Sequence, residues 1–142
     1  MPLYECFYFA DDDKSESFYI ELKNYDTNSK VKSYITTSSV PLYDVNLSVI
    51  GKLMTEDTFI SYPDTQSDIV NRIYTFFFDK YNIINVQYNF IQDINGKYFK
   101  DPFTAPITSC TGINQGKQGL MELYPVNDER YIRYIKLNVN ST

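Results

Sequence analysis

A chain of 142 residues, 43% of them hydrophobic, is long enough to bury one core and too short to divide comfortably into two, so residues 1–142 read as a single domain. Its formal charge of −5 lacks the basic surplus of a phosphate-backbone or membrane-surface binder. Histidine is absent, which excludes His-based acid–base catalysis and His-ligated metal sites.

In chain order, Leu3 to Phe9 is apolar on both alternating faces, as in a strand covered on both sides. Asp11 to Ser17 is a polar turn. Phe18 to Tyr25 then alternates, with Phe18, Ile20 and Leu22 on one face, so the first 25 residues predict a β-hairpin with a loose loop. Val31 to Thr37 alternates again and extends the pair into a meander. Residues 40–54 satisfy both periods: Val45, Leu47, Val49, Gly51 and Leu53 share a strand face, while Val45, Val49 and Leu53 share a helical one. Their β-branched content favours strand, but either assignment stands at this point.

The spacing predicts one principal helix over 66–81. Ile69, Val70, Ile73, Phe76, Phe77 and Tyr81 form an apolar stripe, Thr65 with Asp68 resembles a capping box, and Asn82 provides a stop. Ile84, Val86, Tyr88 and Phe90 alternate as a strand, Asn95-Gly96 signals a hairpin turn, and Tyr98-Phe99 begin a return that Pro102 and Pro106 are expected to end. Ser109 to Gly119 reads as a polar loop, and Tyr131 to Val139 as the closing strand. The expected fold is therefore α+β: a mainly antiparallel sheet of about five to seven strands with the helix packed on one face.

The glycines of Thr111–Gly119 miss the spacing of a phosphate-binding loop, and Asp11–Glu16 lacks the glycine and terminal glutamate of a calcium loop. No two carboxylates are singled out by spacing for acid–base work. Cys6 and Cys110 lack metal-ligand spacing and are expected as reduced, buried thiols. No leader-like segment and no apolar run of membrane-spanning length appear, so the expected location is the cytoplasm (host cytoplasm or virion for a viral protein). No catalytic residue, metal or cofactor is expected, and the balance leans against an enzyme without settling it.

The residue choice is lopsided: 14 Tyr and 10 Phe stand beside only Ala10 and Ala105. This pattern suits an AT-rich genome, bacterial, viral or phage. Strand tyrosines supply amphipathic contact area at protein interfaces. The leading expectation is a non-catalytic protein-binding module, a virion or assembly component or an acidic inhibitor of a host enzyme. It would meet another protein or its own copy through Asp11, Asp12, Asp13, Tyr19, Tyr25, Tyr34 and Tyr88. The alternative is a binder of small nucleotides or single-stranded nucleic acid, stacking bases on the tyrosines and holding phosphate with Lys97, Lys100 and Lys117.

Overall fold

A computed structural model describes residues 3–9, 16–22, 32–62, 67–93, 103–127 and 132–140. They form nine strands: β1 (Leu3–Phe9), β2 (Glu16–Leu22), β3 (Lys32–Tyr43), β4 (Val49–Tyr62), β5 (Ser67–Phe77), β6 (Ile83–Asp93), β7 (Phe103–Cys110), β8 (Gly119–Asn127) and β9 (Ile132–Val139). A single 3-10 turn, Gly112–Asn114, lies between β7 and β8. From β2 to β9 each strand pairs antiparallel with the next, and β9 pairs with β1. The circle closes where Phe7 of β1 meets Tyr43 of β3.

Strands β1 and β2 run along the same edge of β3, with Phe7 opposite Tyr43, Glu16 opposite Ser39 and Leu22 opposite Ser33. They are two successive lengths of one stave. The result is a closed antiparallel barrel of eight staves, which removes most of the sheet edge. The hairpin expected in the first 25 residues is thus overturned: β1 and β2 follow one another and do not pair.

The expected α+β class is overturned too, because residues 67–77 of the expected helix 66–81 form strand β5. The apolar stripe is a by-product of a strand that is apolar on both faces. Val70, Tyr74 and Phe76 are buried at a period of two, while Ile69 points outward and is 41% exposed. Seven of the nine residues from Ile69 to Phe77 are Ile, Val, Tyr, Thr or Phe, residues that suit a pleated strand better than a helix. Thr65 of the expected cap lies outside the described residues. Asn82, expected as the stop of the helix, instead lies in the β5–β6 turn just before β6, where the Asp79 carboxylate accepts from the Tyr81 and Asn82 backbone N–H groups.

Residues 40–54 resolve into the end of β3, a tight turn and the start of β4. In the turn the Asp44 carboxylate accepts from the Asn46 and Ser48 N–H groups, and Leu47 adopts a left-handed φ of 63°. Gly51 is needed because a Cβ there would run into the Phe77 carbonyl of β5. Pro106, expected to end a strand, lies within β7 opposite Leu120. Proline is tolerated there because the β6–β7 ladder stops at Val86–Ile107 and asks no N–H of residue 106.

Even-numbered residues of β3, β5 and β6 point inward, as do odd-numbered residues of β4 and β9. Cys6, Leu42, Leu53, Phe76, Ile84 and Leu137 thereby meet in a core with almost no exposure. Lys52, Glu56, Asn85, Gln87 and Asn89 face outward. Among the described residues no helix is long and apolar enough to cross a membrane.

Candidate functional site in the open half of the barrel

The two ends of the barrel differ. At one end lie the β3–β4, β5–β6 and β7–β8 turns, and the interior is sealed. The Asn114 side chain, buried in the 3-10 turn, donates to the Tyr4 hydroxyl at 2.7 Å, and Tyr4 stacks on Phe78 with ring centroids 4.9 Å apart. Gly112, at φ 72°, lies so close to Asn82 that no side chain fits. The segment 111–119 is therefore a structural plug.

Toward the other end the inward side chains change character. Tyr34, Thr36, Phe59, Arg72, Tyr88 and Phe90 all point into the barrel yet remain half-buried. The segments 23–31, 63–66, 94–102 and 128–131, which join strands at this end, lie outside the described residues, as does 10–15 between β1 and β2. β6 continues to Asp93, whereas its ladder with β7 ends at Val86.

Arg72 organises this half. Its Nε and Nη2 donate to the two Asp57 carboxylate oxygens at 2.7 and 2.8 Å, a bidentate pair across the β4–β5 ladder. Asp57 is buried and the Arg72 side chain retains 22% exposure. The guanidinium lies over the Phe90 ring at 4.9 Å and beside Tyr74 at 5.7 Å, and Nη1 donates to the Tyr74 hydroxyl at 3.4 Å. Burial opposes the Arg72 charge, but Tyr74 and Asp57 more than offset it, so the charged form is held firmly.

Tyrosine hydroxyls surround this pair. Tyr8 interacts with Tyr74, and so does Tyr88. Burial, reinforced by Tyr74, raises the pKa of both Tyr8 and Tyr88 well above the ordinary phenol value. Both remain hydrogen-bond donors at any physiological pH. Buried Arg133, opposite Tyr8 on β9, adds a second cation to this level. Higher up, Tyr34 and Phe59 stack face to face at 4.5 Å, and the Tyr34 hydroxyl donates to Asp68 at 3.3 Å.

Of the residues expected at a partner surface, Tyr34 and Tyr88 line the lumen. Tyr19 lies on β2, with its side chain outside the description, and Asp11, Asp12, Asp13 and Tyr25 lie outside the described residues. Lys97 and Lys100 also lie outside them, whereas Lys117 stands in the β7–β8 turn at the sealed end, far from Tyr34 and Tyr88. Asp57, Arg72, Tyr8 and Tyr74 were not singled out from sequence. One signal was available: Arg72 interrupts an otherwise apolar alternating set, Val70, Tyr74 and Phe76, a position where a charge needs a buried partner. Cys6 and Cys110 are free and buried, and among the described residues no acidic and thiol groups cluster to hold a metal.

No protein-family model matches the chain, and no curated protein does. Among solved structures the chain resembles a pyocyanin demethylase, with a TM-score of 0.59 over 98% of this chain and 100% of that one, at 14% identity. The likeness is one of fold.

Proposed function

We propose that the open half of the barrel binds one small, planar aromatic molecule carrying a hydrogen-bond acceptor. The observation that carries this reading is the asymmetry of the interior. One end is packed to exclusion of solvent, while the other presents half-buried aromatic faces around a fixed cation and a set of phenol donors. Eight-stranded barrels of this size either fill with side chains or hold a single small ligand. Phe59 and Phe90 offer flat apolar contact. Tyr74 and Tyr88 offer donors to an acceptor oxygen or ring nitrogen, and Arg72, kept in place by Asp57, offers its charge and edge. Few polar groups among many aromatic ones is the usual make-up of a small-molecule site. The structural neighbour is named for acting on pyocyanin, which supports small-molecule recognition as a use of this barrel form.

The test is an absorbance titration with a panel of small planar heteroaromatic dyes, pyocyanin among them. We expect saturable one-to-one binding of at least one dye, weakened about ten-fold by Phe90→Ala. Tyr74→Phe, which keeps the ring and removes the donor, is expected to weaken dyes bearing an acceptor and spare those without one. If no dye binds, or if the outward substitution Gln87→Ala weakens binding as much as Phe90→Ala, the lumen is not the site.

A further inference from the structure

The sealed end of the barrel carries a second surface, and nothing about it depends on what the lumen binds. Its three turns present Val45, Leu47 and Val49, Tyr81, and Ile113, each between 65% and 79% exposed. The turns are contiguous. Gly51 abuts Phe77 and Phe78, linking the first turn to the second, and the Thr111 hydroxyl donates to the Tyr81 carbonyl at 2.7 Å, linking the second to the third. Five large apolar side chains on one end exceed the scattered exposure normal for a protein surface.

Leu47 is the telling residue. Its backbone sits at φ 63°, where glycine or asparagine is at ease and leucine is not. Its side chain also contributes nothing to the core, at 66% exposure. A residue unfavourable on both counts is explained by something outside the folded chain.

The charges nearby say what that is. Lys52, Lys80 and Lys117 stand on the same end, and none forms an ion pair with a carboxylate among the described residues. Of the carboxylates at this end, Asp44 and Asp79 turn back into their own turns and accept backbone N–H groups, and Glu5 accepts from the Tyr134 hydroxyl. A second copy meeting this end face to face would set lysine against lysine. Apolar turn tips within a collar of lysines instead match an anionic bilayer, where aliphatic tips enter the headgroup boundary and Tyr81 sits at its level. We propose that the sealed end docks on the surface of anionic lipid membranes, leaving the open end facing the aqueous phase. The net charge of −5 does not oppose this, because it is the local end and not the total that meets the lipid.

Co-sedimentation with phosphatidylcholine vesicles, with and without phosphatidylserine, tests it. We expect the full chain to prefer the phosphatidylserine vesicles by about ten-fold or more, with binding lost in high salt. Lys80→Gln and Lys117→Gln are each expected to weaken binding about five-fold. Leu47→Asn is the decisive variant: it is expected to melt no lower than the parent while binding about ten-fold more weakly. Absence of binding to phosphatidylserine vesicles, or undiminished binding by Leu47→Asn, would overturn the proposal. So would a dimer seen by light scattering that Leu47→Asn abolishes, since that would assign the face to a second copy.

Discussion

Inside the barrel, Asp57 and Arg72 bear on both stability and recognition. Each is tolerable only because of the other: a bidentate pair compensates two desolvated charges, whereas one alone is left stranded. Asp57→Ala is expected to lower stability by about 3 kcal/mol in urea titrations. Replacing both together, Asp57→Leu with Arg72→Met, is expected to recover most of that loss, because an apolar pair of similar volume needs no compensation. Ligand binding is expected to stay lost in the double variant, which separates the role of the pair in recognition from its role in folding. At Leu47 the expectation is opposite in sign. Leu47→Gly relieves a left-handed leucine and is expected to raise stability by about 1 kcal/mol in the same measurement.

At the scale of elements, β5 carries the clearest contrast. A helix over 66–81 would place Ile69 and Val70 on one buried stripe, and charging either would be ruinous. In the strand the two residues face opposite ways: Val70 has no exposure and Ile69 has 41%. Ile69→Lys is therefore expected to shift stability by no more than about 0.5 kcal/mol, while Val70→Lys is expected to unfold the barrel. Thermal melts of the two variants check this. The strand was legible in part. Its Ile, Val, Tyr, Thr and Phe content spoke for strand, but three consecutive phenylalanines, Phe76 to Phe78, are apolar whichever period is assumed. Strands β6 and β9 were read correctly because their outward residues include polar ones, Asn85, Gln87 and Asn89 in the one and Lys136 and Asn138 in the other. Pro106 misled for a different reason. Its tolerance in β7 follows from a ladder with β6 that stops short of it, a fact no local pattern records.

For the whole molecule, the buried protonated groups set the limit of stability in alkali. Burial pushes the Cys6 thiol from 9.0 up to about 12. The Tyr134 phenol moves from 10.0 to about 12, through burial first and Glu5 second. Tyr8 and Tyr88 are raised as well, again chiefly by burial. A group whose pKa is raised by folding favours the folded state fully below its unfolded value and loses that advantage as pH climbs toward the folded one. Stability is thus expected to be flat near neutrality, to decline from about pH 9 and to fall steeply between 10 and 12. Urea midpoints across that range, with tyrosinate absorbance followed in parallel, check it. Tyr8 and Tyr88 are expected to ionise only as the barrel opens. At the acid side the sign reverses for Asp79, whose pKa is lowered by the Asn82 side chain and the Tyr81 and Asn82 amides. Its contribution is present above 3.8 and is lost as pH falls below that value, so Asp79→Asn is expected to flatten the acid limb of the same curve.

By itself the sequence determined the antiparallel strand character, the absence of histidine chemistry and the alternation of strands such as β6 and β9. These depend on composition and on contacts between near neighbours, which a linear pattern carries. Closure of the sheet into a barrel, the end-to-end placement of β1 and β2, and the meeting of Asp57, Arg72, Tyr8 and Tyr74 were decided only by the tertiary structure. Closure rests on Phe7 reaching Tyr43 and on β1 reaching β9, pairings between residues more than thirty apart in the chain. Periodicity says which face a side chain takes. It does not say which other strand will stand across the interior from it, and the open half of this barrel is made of such meetings.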